Sequence, residues 1–470
     1  MKSYSRGRLL KSILAVITTV SAVDSFSQTT HQMSVRQVVE YAAKNNVQVK
    51  NALVDVDIQT QTNREITAMA YPQLNGNLGA TYNPNVAVSV FPNFIAAGTY
   101  GVLAQEGVKD ANGNPIISPT DFGIIQAQFG TKYNANAGLD LSQILFDGQV
   151  FIGLKARKTT IDFQKKNVEV TQELIKANIY KIYYQLVVSK TQIELLDANI
   201  SRLEKLLSDT REIYKNGFAE KLDVDKVSVQ IANLQSERLR AMNSIENGYY
   251  GLKFLMGMPI RDSLALTDSL SDNDIKGGLL ENSAYQYSDR KEIQYAELGK
   301  KLNEFNIRRY KLSRWPTASL NAGYSKIAQR NKFDFYKGDY FTASSISVRI
   351  SVPIFNGFAT DARIKKAELE LQQTVNNMEN LRLSIDNEVE QSRTNFRSAI
   401  ATMDFQRKNM ELAVQVYEQT KKKYEMGLGS NIEITAAQTD LKAAQTNYIS
   451  SLYDAIIARI DFLKSTGKLL

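Results

Sequence analysis

Carboxylates are the chemically capable side chains this chain repeats at a fixed spacing. It holds one histidine, His31, and no cysteine, which excludes His- or Cys-based catalysis and most transition-metal sites. No glycine loop suited to phosphate is present; Asn112-Gly113-Asn114-Pro115 is turn chemistry inside a long loop. Asp223 follows Gly217, and Glu433 follows Gly427, by the same interval (223 − 217 = 433 − 427 = 6). Each opens a stretch poor in helix breakers, and a carboxylate near a helix N-terminus is favoured by the helix dipole. Such groups attract cations. The expectation is a protein without catalytic residues, cofactor or metal.

Those two carboxylates belong to a duplication. Tyr71-Pro72 with Leu74-Asn75-Gly76 returns as Trp315-Pro316 with Leu320-Asn321-Ala322, and Phe146-Asp147-Gly148 returns as Phe355-Asn356-Gly357. Tyr214-Lys215-Asn216-Gly217-Phe218 returns as Tyr424-Glu425-Met426-Gly427-Leu428. The offsets are 244, 209 and 210, so the first half carries 35 extra residues (244 − 209) after its first motif. That period is too long for a solenoid unit. It predicts one architecture used twice: residues 28–256 and 285–470, joined by 257–284.

Residues 1–27 have a secretory pattern, with Lys2, Arg6, Arg8 and Lys11 ahead of the apolar run Ile13 to Val23 and small residues Ser25 and Ser27. Cleavage is expected near Ser27-Gln28. The apolar run is too short for a membrane helix, and no later stretch approaches about 20 apolar residues. The formal charge of +8 falls to +5 without the signal, because four cations and Asp24 leave with it. Interspersed charges of this kind do not predict nucleic acid binding.

Neither 154–216 nor 358–426 contains Gly or Pro, and at 1.5 Å per residue each predicts a helix roughly 95–100 Å long. Heptad stripes run through both: Leu154, Ile161, Val168, Ile175 and Ile182 in one series, Ile179, Leu186, Ile193 and Ile200 in another, and Val389, Phe396, Met403, Met410 and Tyr417 in the second half. Sustained heptads predict left-handed coiled-coil packing. Each long helix meets a Gly-containing turn and then another breaker-poor stretch, 218–247 or 430–466, which predicts antiparallel hairpins. Shorter helices are expected from a capping box at Ser34–Gln37 to about Tyr71, and from about Tyr285 to Trp315, ended by Pro72 and Pro316.

Four segments instead alternate with period two. Tyr133, Ala135, Ala137, Leu139 and Leu141 are interleaved with Asn134, Asn136, Gly138, Asp140 and Ser142; Ile346, Val348 and Ile350 are interleaved with Ser345, Ser347, Arg349 and Ser351. Leu78, Ala80 and Tyr82, and Leu320, Ala322 and Tyr324, do the same. A soluble sheet with one wet face and a membrane-facing sheet both fit this pattern. A polar face rich in Asn, Ser and Gly suits a water-filled lumen. Four strands cannot close a membrane barrel and an open edge cannot sit in lipid, so a spanning sheet requires several chains. The extra residues between Asn83 and Lys132 predict the larger external loop.

Taken together these motifs resemble the TolC-like outer membrane efflux proteins over nearly the whole mature chain. The similarity includes the helix-Pro-strand junctions, the Phe-Asp/Asn-Gly turns, both hairpin tips, Val35-Arg36-Gln37-Val38-Val39-Glu40-Tyr41-Ala42, and Arg290-Lys291-Glu292-Ile293. The resemblance implies a mainly α fold with membrane β structure. In it, long antiparallel coiled-coil helices form an α-barrel, and four strands per chain build a twelve-stranded β-barrel in a homotrimer. It further implies an outer membrane channel, with passive conduction of drugs, metals or polypeptides and with a periplasmic adaptor and an inner-membrane transporter as partners.

By position the resemblance makes Asp223 and Glu433 tunnel-entrance carboxylates, beside the plain reading of helix-N-terminal acids. Ala436 and Gly429 stand where the family's further acidic and basic entrance residues fall. The tips Gly217-Phe218 and Gly427-Leu428-Gly429-Ser430 become candidates for adaptor contact, with closure of their own turns the plainer alternative for Phe218 and Leu428. An exported coiled-coil or adhesion protein without a pore is the rival reading. It accounts for the heptads but not for paired amphipathic strands in two copies.

Overall fold

The computed structural model describes residues 30–269, 275 and 285–469. The expected export signal, 1–27, lies outside them, as does half of the connecting segment 257–284. The described elements run β1 (Thr30–Met33), α1 (Val35–Asn45), α2 (Val47–Ala68), β2 (Gln73–Tyr82), β3 (Val88–Pro92), α3 (Phe94–Gln105), β4 (Ile124–Gln128), β5 (Tyr133–Phe146), α4 (Gly148–Lys215), α5 (Lys221–Met256) and β6 (Ser263–Leu266). They continue with α6 (Lys291–Leu312), β7 (Thr317–Arg330), β8 (Phe341–Ser351), α7 (Ala359–Glu425) and α8 (Asn431–Ser465). The chain divides into two compact units: one collects Thr159–Lys301, Leu371–Leu470 and the residues up to Gln59, the other Thr60–Lys158 and Leu302–Glu370.

The helical unit is held by the heptad stripes. Val168, Ile175, Ile179, Leu186, Leu196, Ile200 and Leu203 of α4 are buried, as are Val389, Phe396, Met403 and Tyr417 of α7. One apolar cluster joins α1, α2, α4, α5 and β6 around Val38, Val49, Ile179, Leu252 and Leu264; a second joins α4, α5, α7 and α8 around Leu203, Val227, Tyr417 and Ile434. Phe396 and Phe462 stack with centroids 5.8 Å apart between α7 and α8. β1 and β6 pair in parallel. Tyr183 fastens this ribbon: its hydroxyl donates to the Met33 carbonyl at 3.1 Å and accepts from the Asp268 N–H at 3.2 Å. Burial pushes its pKa up to about 12, so it stays a neutral donor.

The first helix is two helices. Ser34 and Gln37 form the expected capping box, but Asn46 leaves helical geometry at ψ 132°. Its amide carbonyl accepts from the N–H of Gln48 at 2.8 Å and of Val49 at 3.2 Å, and its amine donates to the Leu255 carbonyl at 2.7 Å. One asparagine thus caps α2 and ties it to α5. The counterpart helix begins at Lys291, after a short 3-10 turn over Tyr287–Asp289, rather than near Tyr285. Arg290 explains the shift. Its guanidinium, 4% exposed, donates to the Ser465 carbonyl at 2.7 Å and to Glu388 at 3.0 Å, and lies 3.2 Å from Glu292. A buried Arg needs such a full set of acceptors, and it pins the start of α6 to α7 and the end of α8.

In the other unit β2, β5, β7 and β8 form one antiparallel sheet in the order β2-β5-β7-β8. The Phe-Asp/Asn-Gly turns lead from it into the long helices for two different reasons. A Cβ on Gly148 would stand 2.8 Å from Leu312 Cβ, so α6 packs on its bare backbone. Gly357 instead supplies a positive φ of 63°, followed by Phe358 at 64°.

Candidate functional site

Both hairpin tips close with the same backbone device. At the first, the Gly217 N–H donates to the Tyr214 carbonyl at 2.9 Å and the Phe218 N–H to the Ile213 carbonyl at 3.0 Å; at the second, Gly427 donates to Tyr424 and Leu428 to Lys423, each at 3.0 Å. This is the Schellman arrangement, which needs a left-handed residue at the glycine position; φ is 80° at Gly217 and 70° at Gly427. The residue that follows commonly folds back on its own helix. Here Phe218 is 85% exposed and Leu428 70% exposed, so neither covers its own turn. Two large apolar side chains are held out on rigid, twin turns. The tips are neighbours: Thr210 Oγ1 and the Tyr424 hydroxyl, from α4 and α7, are 3.2 Å apart.

The two carboxylates are differently employed. Asp223 Oδ2 accepts from the Glu220 N–H at 3.3 Å, in the first turn of α5. Glu433 lies in the first turn of α8, where its N–H donates to Ser430 Oγ at 3.2 Å, and its Oε2 takes an ion pair at 2.9 Å from Lys423 Nζ across the hairpin. Gly429 permits that closure, since a Cβ there would lie 3.1 Å from the Tyr424 nitrogen. The pairing partner Lys423 sits in the run Lys421-Lys422-Lys423, and sequence alone does not reveal which of the three returns to α8. Sequence reading also missed the polar knot beneath the tips. Asn199 of α4 donates to Gln445 Oε1 at 2.7 Å and accepts from Gln438 Nε2 at 2.9 Å and Arg202 Nη2 at 2.8 Å. Asn199 falls outside both heptad series, which run on through Leu196 and Ile200, so the periodicity does not mark it.

In the sheet, register gathers every alternating apolar residue onto one face. Leu74, Leu141, Ala322 and Ile346 stand in one cross-strand row; Gly76, Leu139, Tyr324 and Ser344 form the next, and Leu78, Ala137, Lys326 and Thr342 another. Most of this face is open, with Leu78 89% and Ile346 81% exposed, whereas Ala328, in the row of Ala80 and Ala135 towards the β7–β8 turn, is 1% exposed. The opposite face carries rows such as Asn75, Asp140, Gly323 and Ser345, with Asn77 donating to the Asp140 carboxylate. Aromatic rings mark both ends of the sheet. Tyr82 stacks on Tyr133 at 4.9 Å with Phe333 edge-on to Tyr133 at 5.8 Å, while Phe146 meets Trp315 at 6.4 Å and Phe151 at 5.6 Å. No helix among the described residues is long and apolar enough to cross a membrane.

A family model described as outer membrane efflux protein matches residues 289–468. The outer membrane protein TolC of Escherichia coli (strain K12) is 19% identical over 471 residues, which cover 98% of this chain and 87% of that protein. TolC of Vibrio cholerae is 20% identical over 342 residues, 71% of this chain and 77% of its own. The chain is similar to the TolC-like outer membrane efflux proteins along nearly all of its length.

Solved structures agree on the fold. The Campylobacter jejuni CmeC outer membrane channel superposes with a TM-score of 0.71 at 15% identity, covering 94% of this chain and 90% of that one; the Vibrio cholerae outer membrane protein VceC gives 0.68 at 16%, covering 92% and 96%. The TolC-like architecture of α-barrel helices with a membrane sheet is therefore the architecture here. Members of this family are channels rather than enzymes, and among the described residues no group of His, Asp and Glu is disposed to hold a metal ion.

Proposed function

We propose that three copies of this chain pool β2, β5, β7 and β8 into a twelve-stranded barrel in the outer membrane, continued by the helical hairpins as a tunnel. The observation that carries this reading is the sheet itself: two open edges, β2 and β8, and one largely uncovered apolar face. Neither is tolerable in lipid unless the edges close on other copies, nor in water unless something covers the face. Ten residue steps from Tyr133 to Gln143 on that face, at about 3.4 Å and tilted by about 40°, cover roughly 26 Å, close to the apolar band of outer membrane barrels. Residues 28–256 and 285–470 act as two copies of one unit, each supplying two strands and one hairpin.

In this reading conduction is passive, and work is supplied by an inner-membrane transporter through a periplasmic adaptor. Phe218 and Leu428, with Gly217, Gly427, Gly429 and Ser430 shaping their turns, form the adaptor contact. Apolar side chains on rigid turns suit insertion into a partner's helical hairpin, because little conformational entropy is lost on binding. Asp223 and Glu433 stand at the tunnel entrance, where carboxylates repeated about a threefold axis attract cations. Single-channel conductance of the purified mature protein in a planar bilayer tests the channel. Stable conducting steps are expected. A protein that never inserts, and does not conduct after deletion of both tips, overturns it in favour of the coiled-coil reading.

A further inference from the structure

The insertion between β2 and β5 folds as a β3–β4 hairpin and the helix α3, and it lacks the surface that a solvated loop needs. No charged residue occurs between Glu65 and Glu106, so α3 has none. Asn93 caps it through the Ala96 N–H at 3.0 Å, which makes it a built helix. Its apolar side chains are outward: Phe94, Ile95 and Val102 are each more than half exposed, as are Ile124 and Phe129 near it in the chain. Water is a poor neighbour for such a surface. Lipid fits little better. A helix lying in a membrane surface segregates a basic polar face from an apolar one, and α3 has no Lys or Arg and small or apolar residues all round. At about 18 Å it is also too short to span. The surface asks for protein.

The topology says which protein. β2 ends at Tyr82, directly below the insertion, and β2 is one open edge of the sheet. The other open edge, β8, begins at Phe341, and the cross-strand pairs Gly79–Asn136, Asn136–Ile327 and Ile327–Phe341 set that residue level with the outer end of β2. Just before it, the β7–β8 turn exposes Phe333, Tyr336, Tyr340 and Phe341, Tyr336 at 83%. If sheets of successive copies join edge to edge, β8 of one copy stands beside β2 of the next. An exposed aromatic turn then meets an exposed apolar insertion at the same end of the barrel. We infer that the insertion clasps the β7–β8 turn of the neighbouring copy, with Phe94, Ile95 and Val102 of α3 packing against Phe333, Tyr336 and Phe341 across the seam. The occupant of this surface is a second copy of this chain, and the inference rests on the barrel reading above.

The absence of native cysteine makes cross-linking clean. Two single variants, Phe94→Cys and Tyr336→Cys, are co-expressed and oxidised in the membrane, with Leu78→Cys and Ser344→Cys as a pair reporting the β2–β8 seam. Covalent dimers that form only when both clasp variants are present, together with earlier heat dissociation of a Phe94→Asp/Ile95→Asp/Val102→Asp trimer, are the expected results. Seam dimers without clasp dimers for any pairing of Phe94, Ile95 or Val102 with Phe333, Tyr336 or Phe341 would overturn the clasp and leave the barrel standing. An unchanged dissociation temperature for the triple variant would count against it equally. Neither kind of dimer, with a monomer mass in detergent, would overturn the barrel and the clasp together.

Discussion

Lys423 and Glu433 face each other across one hairpin, Nζ to Oε2 at 2.9 Å, and both are about half exposed. The pair contributes under about 1 kcal/mol to stability in that setting, so either side chain can be removed without unfolding the tip. Its effect on ions is larger, because each deletion uncovers the other charge. Glu433→Ala is expected to weaken cation selectivity and divalent-cation block, and Lys423→Ala to strengthen both. Reversal potentials in a salt gradient distinguish the two; identical potentials in wild type and both variants would remove the pair from the entrance.

Ile346 and Ser345 are adjacent in β8 and point to opposite faces of the sheet, Ile346 in the row of Leu74 and Leu141, Ser345 in the row of Asp140 and Gly323. Arg at a lipid-facing mid-membrane position costs roughly 2–4 kcal/mol per copy. Ile346→Arg should therefore cut the amount of assembled protein in outer membranes. Ser345→Arg should assemble normally and shift conductance towards anions. Equal membrane yields for both variants would mean that the faces are not lipid and lumen.

Much of this was legible because period carries physical meaning. The stripe Val168, Ile175, Ile182 sets α4 and the alternation Tyr133, Ala135, Ala137 sets β5, each without help from distant residues. What period does not carry was missed. The 83–132 loop hides α3, whose apolar residues surround the helix and so have no moment to detect. The break at Asn46 depends on a carbonyl of Leu255, far away in sequence. The second hairpin arms were bounded by Gly248 in one case, yet α5 runs through Gly248 and Gly251 to Met256, because Leu186 packs where a Cβ at Gly248 would stand, at 2.7 Å. At the tips, position located Glu433 but not its partner, which only the closed turn selects.

Phe218 and Leu428 present apolar surface on turns that do not need it for closure. Replacing both with Asp is expected to leave trimer assembly and melting unchanged while abolishing co-purification of an adaptor. Loss of more than about 1 kcal/mol of stability in the double variant would instead assign them to turn closure.

Asn199 is 2% exposed and its amide meets Gln438, Gln445 and Arg202. Asn199→Ala leaves buried donors and an acceptor unmatched, at a cost of roughly 2–4 kcal/mol per copy. Replacing Asn199, Gln438 and Gln445 together with Leu removes the buried amides and should recover part of that stability, the Arg202 guanidinium losing its Asn199 acceptor but keeping its place over the Tyr417 ring. Thermal melting in detergent compares them. A triple variant as unstable as Asn199→Ala would show that volume, not polarity, decides this site.

The cluster around Arg290 predicts how the helical unit responds to pH. Burial alone would raise Glu292, but the hydrogen bond and charge of Arg290 outweigh it and hold the carboxyl below its usual range. A lowered folded pKa stabilises above the unfolded value near 4.5 and is lost as pH falls through the folded one, so acid should loosen the junction of α6, α7 and α8. Glu173 behaves oppositely. Burial, then the nearby Glu292, raises it, and its Oε2 is buried without a hydrogen-bond partner among the described residues. Its contribution is full below the unfolded pKa and is lost as pH rises through the raised one. Glu173→Gln is therefore expected to stabilise the protein by about 1 kcal/mol at pH 7.5, with the advantage shrinking towards pH 4.5, whereas Arg290→Gln should destabilise most at neutral pH. Melting curves of both variants between pH 4 and 8 measure these slopes. A Glu173→Gln advantage that grows on acidification would mean that Glu173 is ionised and paired in the assembled channel.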